Sequence, residues 1–296
     1  MHVLAAIEAA RGDGGAPNMV SAMAAAVDAK HGKLTDKEIE EEFITLRGAG
    51  HETTSNTISW VLLLLAQHPA FQQRIRDEVV ANVRGESATY DELEALQLCR
   101  MTVLEALRLF PTIPAYPRLS VKPTKLGKYD LPKGSFVVVS QPALNVSKSL
   151  WGDDATDFRP ERFDRPGFSL NLVQSKAFGC PGYAVKQRSA TAAGAPPPPP
   201  PPPAICPTRS KSTHAADIAG GAGGGGGGHP FGFAPFGAGR RTCIGQRLAM
   251  MEAVQITASI IKHFRVELAA PAVPVEEIAD LTLGPKEGLS IKLSEW

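Results

Sequence analysis

The segment Phe236-Gly237-Ala238-Gly239-Arg240-Arg241-Thr242-Cys243-Ile244-Gly245 places one cysteine among three glycines and two arginines, directly ahead of the helix-forming run Gln246 to Ala253. A fold that accommodates it must let an irregular loop deliver a sulfur to the start of a helix. Ile244, Leu248 and Met251 recur at i, i+4 and i+7, which predicts that helix with these three on one apolar face and Cys243 at or just before its first turn. Unpaired N–H groups and the positive end of the helix dipole favour an anion there, and the thiolate is the form of cysteine that binds metals. Gly237, Gly239 and Gly245 permit positive φ and remove side chains where a flat ligand and the loop backbone must come close, so that amides can point at the sulfur and tune the metal. Arg241, two residues before the cysteine, can offer a carboxylate paired hydrogen bonds from its planar guanidinium. A glycine-rich surface loop with an incidental cysteine would explain neither the arginine nor the helix.

Composition places the rest among globular chains large enough for a sizeable core, with 43% hydrophobic residues in 296. The 31 basic and 30 acidic residues leave a net charge of +1, which gives no support to a nucleic-acid role. Cys99, Cys180, Cys206 and Cys243 are too few and too irregular for a disulfide framework or a zinc site, so a reducing compartment is the simpler setting. Met1 to Glu8 has no basic region ahead of its apolar residues and does not look like a secretory signal. The longest apolar stretch, Trp60 to Ala66, falls far short of the roughly 20 residues that cross a bilayer.

Along the chain, Thr35-Asp36-Lys37-Glu38 reads as a capping box that opens a helix running to about Gln67, with Phe43, Leu46, Gly50, Ile58, Val61, Leu62 and Leu65 on its apolar face. Pro69 starts a second helix to about Arg84, and a third ends near Leu109, ahead of Pro111 and Pro114. Leu126 to Tyr129 and Phe136 to Val139 are strand-like runs around the turn residues Asp130 to Gly134, and Leu289 to Leu293 alternates as a last strand. Three regions follow: a helical part over 1–166, a Pro/Gly-rich insertion over 167–228 with runs at Pro196 to Pro203 and Gly223 to Gly228, and a loop, helix and strand over 229–296. The insertion cannot build a core and reads as a disordered spacer, or else as a Pro-rich ligand for a partner groove.

Two further constellations carry chemistry. In Ala49-Gly50-His51-Glu52-Thr53-Thr54-Ser55, the Thr53 hydroxyl can turn back to the carbonyl of Ala49, and Gly50 leaves room beside it for a small ligand such as dioxygen. Glu52 and Thr53 could then relay protons, although a satisfied threonine beside a surface glutamate fits the residues equally. A zinc-protease reading of His51-Glu52 fails because Ser55 stands where the second histidine is needed. Glu105 and Arg108 lie at i and i+3 in an apolar helix, where a buried ion pair needs further hydrogen bonds, and Arg162 can supply a second guanidinium. Cys180-Pro181-Gly182 imitates the end of the cysteine loop but lacks its arginine and its helix, Cys99 reads as a small core residue, and His229 as a solvated one.

The spacing Phe-x-x-Gly-x-Arg-x-Cys-x-Gly, matched by Phe236, Gly239, Arg241, Cys243 and Gly245, resembles the cysteine-ligand loop of the cytochrome P-450 haem-thiolate monooxygenases. The Glu52-Thr53 segment is similar to that family's oxygen-activation helix, and Glu105, Arg108 and Arg162 to its structural Glu/Arg/Arg triad. The resemblance runs from about Leu34 to the C-terminus and implies a mainly α fold with small β-sheets, the C-terminal half of a eukaryotic, microsomal-like member. It also implies haem b (iron protoporphyrin IX) with Cys243 as proximal thiolate, Arg241 on a propionate and Phe236 beside the sulfur, with Glu52 and Thr53 as catalytic residues. The reaction implied is insertion of one oxygen atom of O2 into a small apolar substrate, with electrons from an NADPH-dependent reductase or a ferredoxin-type donor. Ala49, Gly50, Ile113, Pro114 and Leu283 would line the substrate pocket, and ordinary core packing would account for these apolar residues equally. A membrane-associated parent, in the endoplasmic reticulum or a plastid, belongs to the same set of expectations. A chain of this half alone is expected to bind haem weakly and to turn over little. The rivals are a haem-thiolate isomerase or dehydratase, for which the acid/alcohol pair is unusual, and a non-catalytic haem-binding remnant.

Overall fold

The computed structural model describes residues 18–28, 32–164, 232–269 and 275–296. The expectations for Met1 to Glu8, for the whole of 167–228, and for Cys180, Cys206 and His229 lie outside them. The chain divides into two compact units, one of Met1–Pro114 with Gly245–Trp296 and the other of Ala115–Ile244.

The first unit is helical. A short helix α1 (Met19–Ala25) and the ladder β1–β2 (Val27–Asp28, Gly32–Lys33) precede the 32-residue helix α2 (Asp36–Gln67). Thr35 caps α2 as the capping box predicts: its hydroxyl accepts from the Glu38 N–H at 3.3 Å while the Glu38 carboxylate accepts from the Thr35 N–H at 2.8 Å. Trp60 to Leu65 are all buried, so this end of α2 is packed on every side. Pro69 takes the first turn of α3 (Pro69–Asn82), α4 (Tyr90–Ala95) follows a second capping box at Thr89 and Glu92, and α5 (Gln97–Leu109) ends just before Pro111. These helices pack with α8 (Gln246–His263). Two antiparallel pairs complete the unit: β7 (Phe264–Leu268) with β10 (Ile291–Glu295), and β8 (Glu277–Ala279) with β9 (Leu283–Pro285). Buried Gln72 ties α2 and α3 to the sheet, its amide donating to the carbonyls of Leu65 and Val266 and accepting from the Val266 N–H at 2.8 Å.

Helix α8 forms where the sequence places it, directly after the cysteine loop. The stripe at Ile244, Leu248 and Met251 has helical spacing, yet Ile244 is 90% and Leu248 58% exposed. The buried face is Met250, Ala253, Val254, Thr257, Ala258 and Ile261. Positions 248 and 250 differ by about 200° around a helix, so the packed side lies opposite that stripe.

The second unit holds the strands β3 (Ala115–Leu119), β4 (Thr124–Leu126), β5 (Tyr129–Leu131) and β6 (Phe136–Ser140), with the short helices α6 (Gln141–Asn145) and α7 (Lys148–Trp151) after them. The strand-like runs do not pair with each other as the turn at Asp130 to Gly134 suggests. Gly127, at φ 57°, makes the turn itself within the first run and closes β4 onto β5, while β6 pairs antiparallel with β3, Leu119 opposite Phe136. Trp151 and Phe163 meet Phe233 with ring centroids 5.7 and 5.2 Å away, and this aromatic cluster anchors the start of the cysteine loop.

Candidate functional site

In the second unit the cysteine loop is built mainly from backbone hydrogen bonds. Gly237 N–H donates to Ala234 at 2.9 Å, a 3-10 turn spans Gly239–Arg241, and Thr242 returns both its N–H and its hydroxyl to the Gly239 carbonyl. Gly237 and Gly239 both sit at φ 73°, where an L side chain is strained, and this gives those two glycines their purpose. Gly245 differs: it is the N-cap of α8 with φ −86°, and its carbonyl accepts from the Ala249 N–H, so positive φ is not its role. The N–H of Cys243 donates to the Phe236 carbonyl at 2.9 Å, so this amide closes the loop instead of pointing at the sulfur. Phe236 is half-buried, while Gly239, Arg241 and the free thiol of Cys243 are exposed.

Tyr116 of β3 reaches under the same loop. Its hydroxyl shares its one hydrogen between the carbonyls of Pro235 at 2.9 Å and Ala234 at 3.2 Å. Burial pushes this phenol up to about 12 and keeps it a donor. No local sequence pattern marks this bond from Tyr116 to the loop.

In the first unit the Thr53 hydroxyl donates to the Ala49 carbonyl at 2.8 Å, as the spacing predicts, and α2 continues unbroken through it. Glu52 is exposed, as are Ala49 and Gly50, and a Cβ built on Gly50 meets nothing within 4 Å. Glu52 accepts a hydrogen bond from the Thr282 hydroxyl at 2.5 Å. Leu283 is buried, its N–H donating to Thr112 and its carbonyl accepting from the Trp60 indole, while Ile113 and Pro114 are half-buried.

Glu105 and Arg108 are wholly buried on α5 and form a bidentate pair with N–O distances of 2.7 and 2.8 Å. Arg162 lies in the other unit, buried, with Nη2 donating to the carbonyls of Asp154 and Asp157 at 3.0 and 3.1 Å.

The family model for cytochrome P450 matches residues 8–180 and 222–291. The chain belongs to the cytochrome P450 family. That match begins well upstream of Leu34 and leaves 181–221 uncovered. Cytochrome P450 97B2, chloroplastic, of Glycine max is 30% identical over 277 residues, which are 91% of this chain and 42% of that protein. Cytokinin hydroxylase of Arabidopsis thaliana is 30% identical over 90% of this chain and 41% of its own length. The bifunctional cytochrome P450/NADPH--P450 reductase 2 of Bacillus subtilis (strain 168) is 29% identical over 83% of this chain and 18% of its length. The chain thus spans about two-fifths of the first two relatives.

Membership in the P450 family implies haem and the use of O2, at the level of haem-thiolate monooxygenases. The donor set fits: Cys243 offers one free, exposed sulfur at the end of its loop, and a single thiolate is a donor that haem iron takes from a protein. Among those residues, too, no helix is long and apolar enough to cross a membrane.

Proposed function

We propose that Cys243 is the proximal thiolate of a cytochrome P450 that inserts one oxygen atom of O2 into a small apolar substrate, with electrons drawn from NADPH through a reductase or from a ferredoxin-type donor. The observation that carries this reading is a free, exposed cysteine whose loop is fixed by two positive-φ glycines and by its own N–H on Phe236. Haem held through a thiolate supplies electron density that favours O–O cleavage.

The chain's own residues divide the remaining work. Arg241, exposed beside the loop, offers its guanidinium to a haem propionate. Gly239 and Gly245 keep side chains away from the porphyrin face, and Phe236 covers the backbone next to the sulfur. Glu52 holds a proton at its carboxyl and Thr53 passes it on through a hydroxyl whose own hydrogen now sits on Ala49. Glu105, Arg108 and Arg162 act structurally, not catalytically. Ala49, Gly50, Ile113, Pro114 and Leu283 line the substrate side. The 167–228 segment, within which the family match is interrupted, serves as a spacer.

The test is oxygenation of an apolar compound library by the haem-loaded chain with NADPH, a P450 reductase and ¹⁸O2. One labelled atom per product with obligatory NADPH consumption supports monooxygenation. Conversion without NADPH would make the protein an isomerase or dehydratase instead.

A further inference from the structure

Glu52 and Asn56 stand four residues apart on α2 and so share a face. Between their side chains sits the hydroxyl of Thr282, a buried residue 230 positions away in sequence from Glu52. Thr282 Oγ1 donates to Glu52 Oε1 and accepts from Asn56 Nδ2 at 3.1 Å. A hydroxyl has one proton to give, so its bond to the carboxylate leaves only acceptor capacity for Asn56, and the amide must donate. The direction of the chain, from Asn56 through Thr282 to Glu52, is therefore set by chemistry.

The segment carrying Thr282 is held on both sides. Leu283 is bonded to Thr112 at 2.8 Å and to the Trp60 indole at 3.2 Å, and Thr112 also meets the Thr57 hydroxyl of α2 at 2.9 Å. Gly284 provides the space for Asn56, since a Cβ there would lie 2.9 Å from both the nitrogen and the oxygen of its amide. Among the described residues no donor reaches Glu52 Oε2, so one carboxylate oxygen is engaged and the other is left for proton traffic.

We propose that Thr282 and Asn56 are positioning residues for Glu52, fixing its carboxyl so that Oε2 carries the proton delivered toward bound dioxygen. This rests on the assignment of proton delivery to Glu52. Dioxygen that takes up two electrons and two protons leaves as hydrogen peroxide, whereas four electrons and four protons give two waters. A misplaced proton donor shifts the balance toward peroxide, and the shift can be read without knowing the substrate.

Two measurements on the same variants decide the matter. In haem-loaded chain driven by NADPH and a P450 reductase, Thr282→Val should raise the fraction of consumed dioxygen released as peroxide roughly five-fold, a modest part of the ~10²-fold that a misplaced group can cost. Thr282→Ser should restore it, and Asn56→Ala should move it the same way by less. An unchanged fraction in Thr282→Val, or no rescue by serine, overturns the proposal. Separately, without haem chemistry, Thr282→Val should lower the urea midpoint in the parent chain but much less in a Glu52→Ala background. Equal shifts in both backgrounds would show that no bond joins the two residues and would overturn the proposal independently of catalysis. A coupled midpoint with a peroxide fraction indifferent to Glu52→Ala would instead bring down the assignment of proton delivery, and this positioning role with it.

Discussion

Cys99 and Cys243 carry the same thiol into opposite situations. Cys99 lies fully buried on α5, its sulfur facing the Val254 carbonyl at 3.7 Å, and burial pushes its thiol far up so that it stays protonated. The same helix buries Glu105 and Arg108 as a matched pair. Cys243 is exposed at the end of a loop whose contacts are largely backbone to backbone. In α5, apolar burial fixes side chains and silences the sulfur; in the loop, glycine geometry fixes the backbone and leaves the sulfur free to bind. The two regions should therefore fail in different ways.

The largest difference is expected from charge deletion. Glu105→Ala, which removes the bidentate partner of a buried guanidinium, should cost about 3–5 kcal/mol of stability in urea unfolding, while the exposed Arg241→Ala should stay within about 0.5 kcal/mol and instead weaken haemin binding. Comparable losses of stability in both would erase the distinction. Next come the glycines. Gly239→Ala forces a side chain into φ 73° and should cost about 1–2 kcal/mol, whereas Gly50→Ala, with open space around it on a helix, should gain up to about 1 kcal/mol. Alkylation followed by peptide mapping should then label Cys243 within minutes in native protein and Cys99 only after unfolding. The smallest effect is the pH response of the latch under the loop. The fold raises Tyr116 from 10.0 to about 12, so its contribution is complete below pH 10 and lost as pH climbs through 12. Tyr116→Phe should flatten the unfolding midpoint over that window relative to the parent chain.

Local signals were legible in the sequence and distant ones were not. Thr35 and Glu38 mark the start of α2 because a capping box is completed within four residues, and Glu105–Arg108 pair because i and i+3 always adjoin on a helix. The positive φ of Gly237 and Gly239 follows equally from the loop's own pattern. Periodicity in α8 correctly predicts a helix but does not say which side is buried, since the packed face depends on which helices surround it. The pairing of β6 with β3 is hidden in the sequence because Ala115-Tyr116-Pro117 contains a proline, which removes a ladder donor. The bond from Thr282 to Glu52 spans 230 residues, and no local pattern announces it.

The central claim is that the sulfur of Cys243 binds haem iron, and the most direct test is the absorption spectrum of the reduced, carbon-monoxide-treated chain at saturating haemin. The parent chain should show the red-shifted Soret band of a thiolate-bound carbonyl haem, and Cys243→Ser should lose it while Cys99→Ser keeps it. A Cys243→Ser protein with an unaltered band would contradict the account.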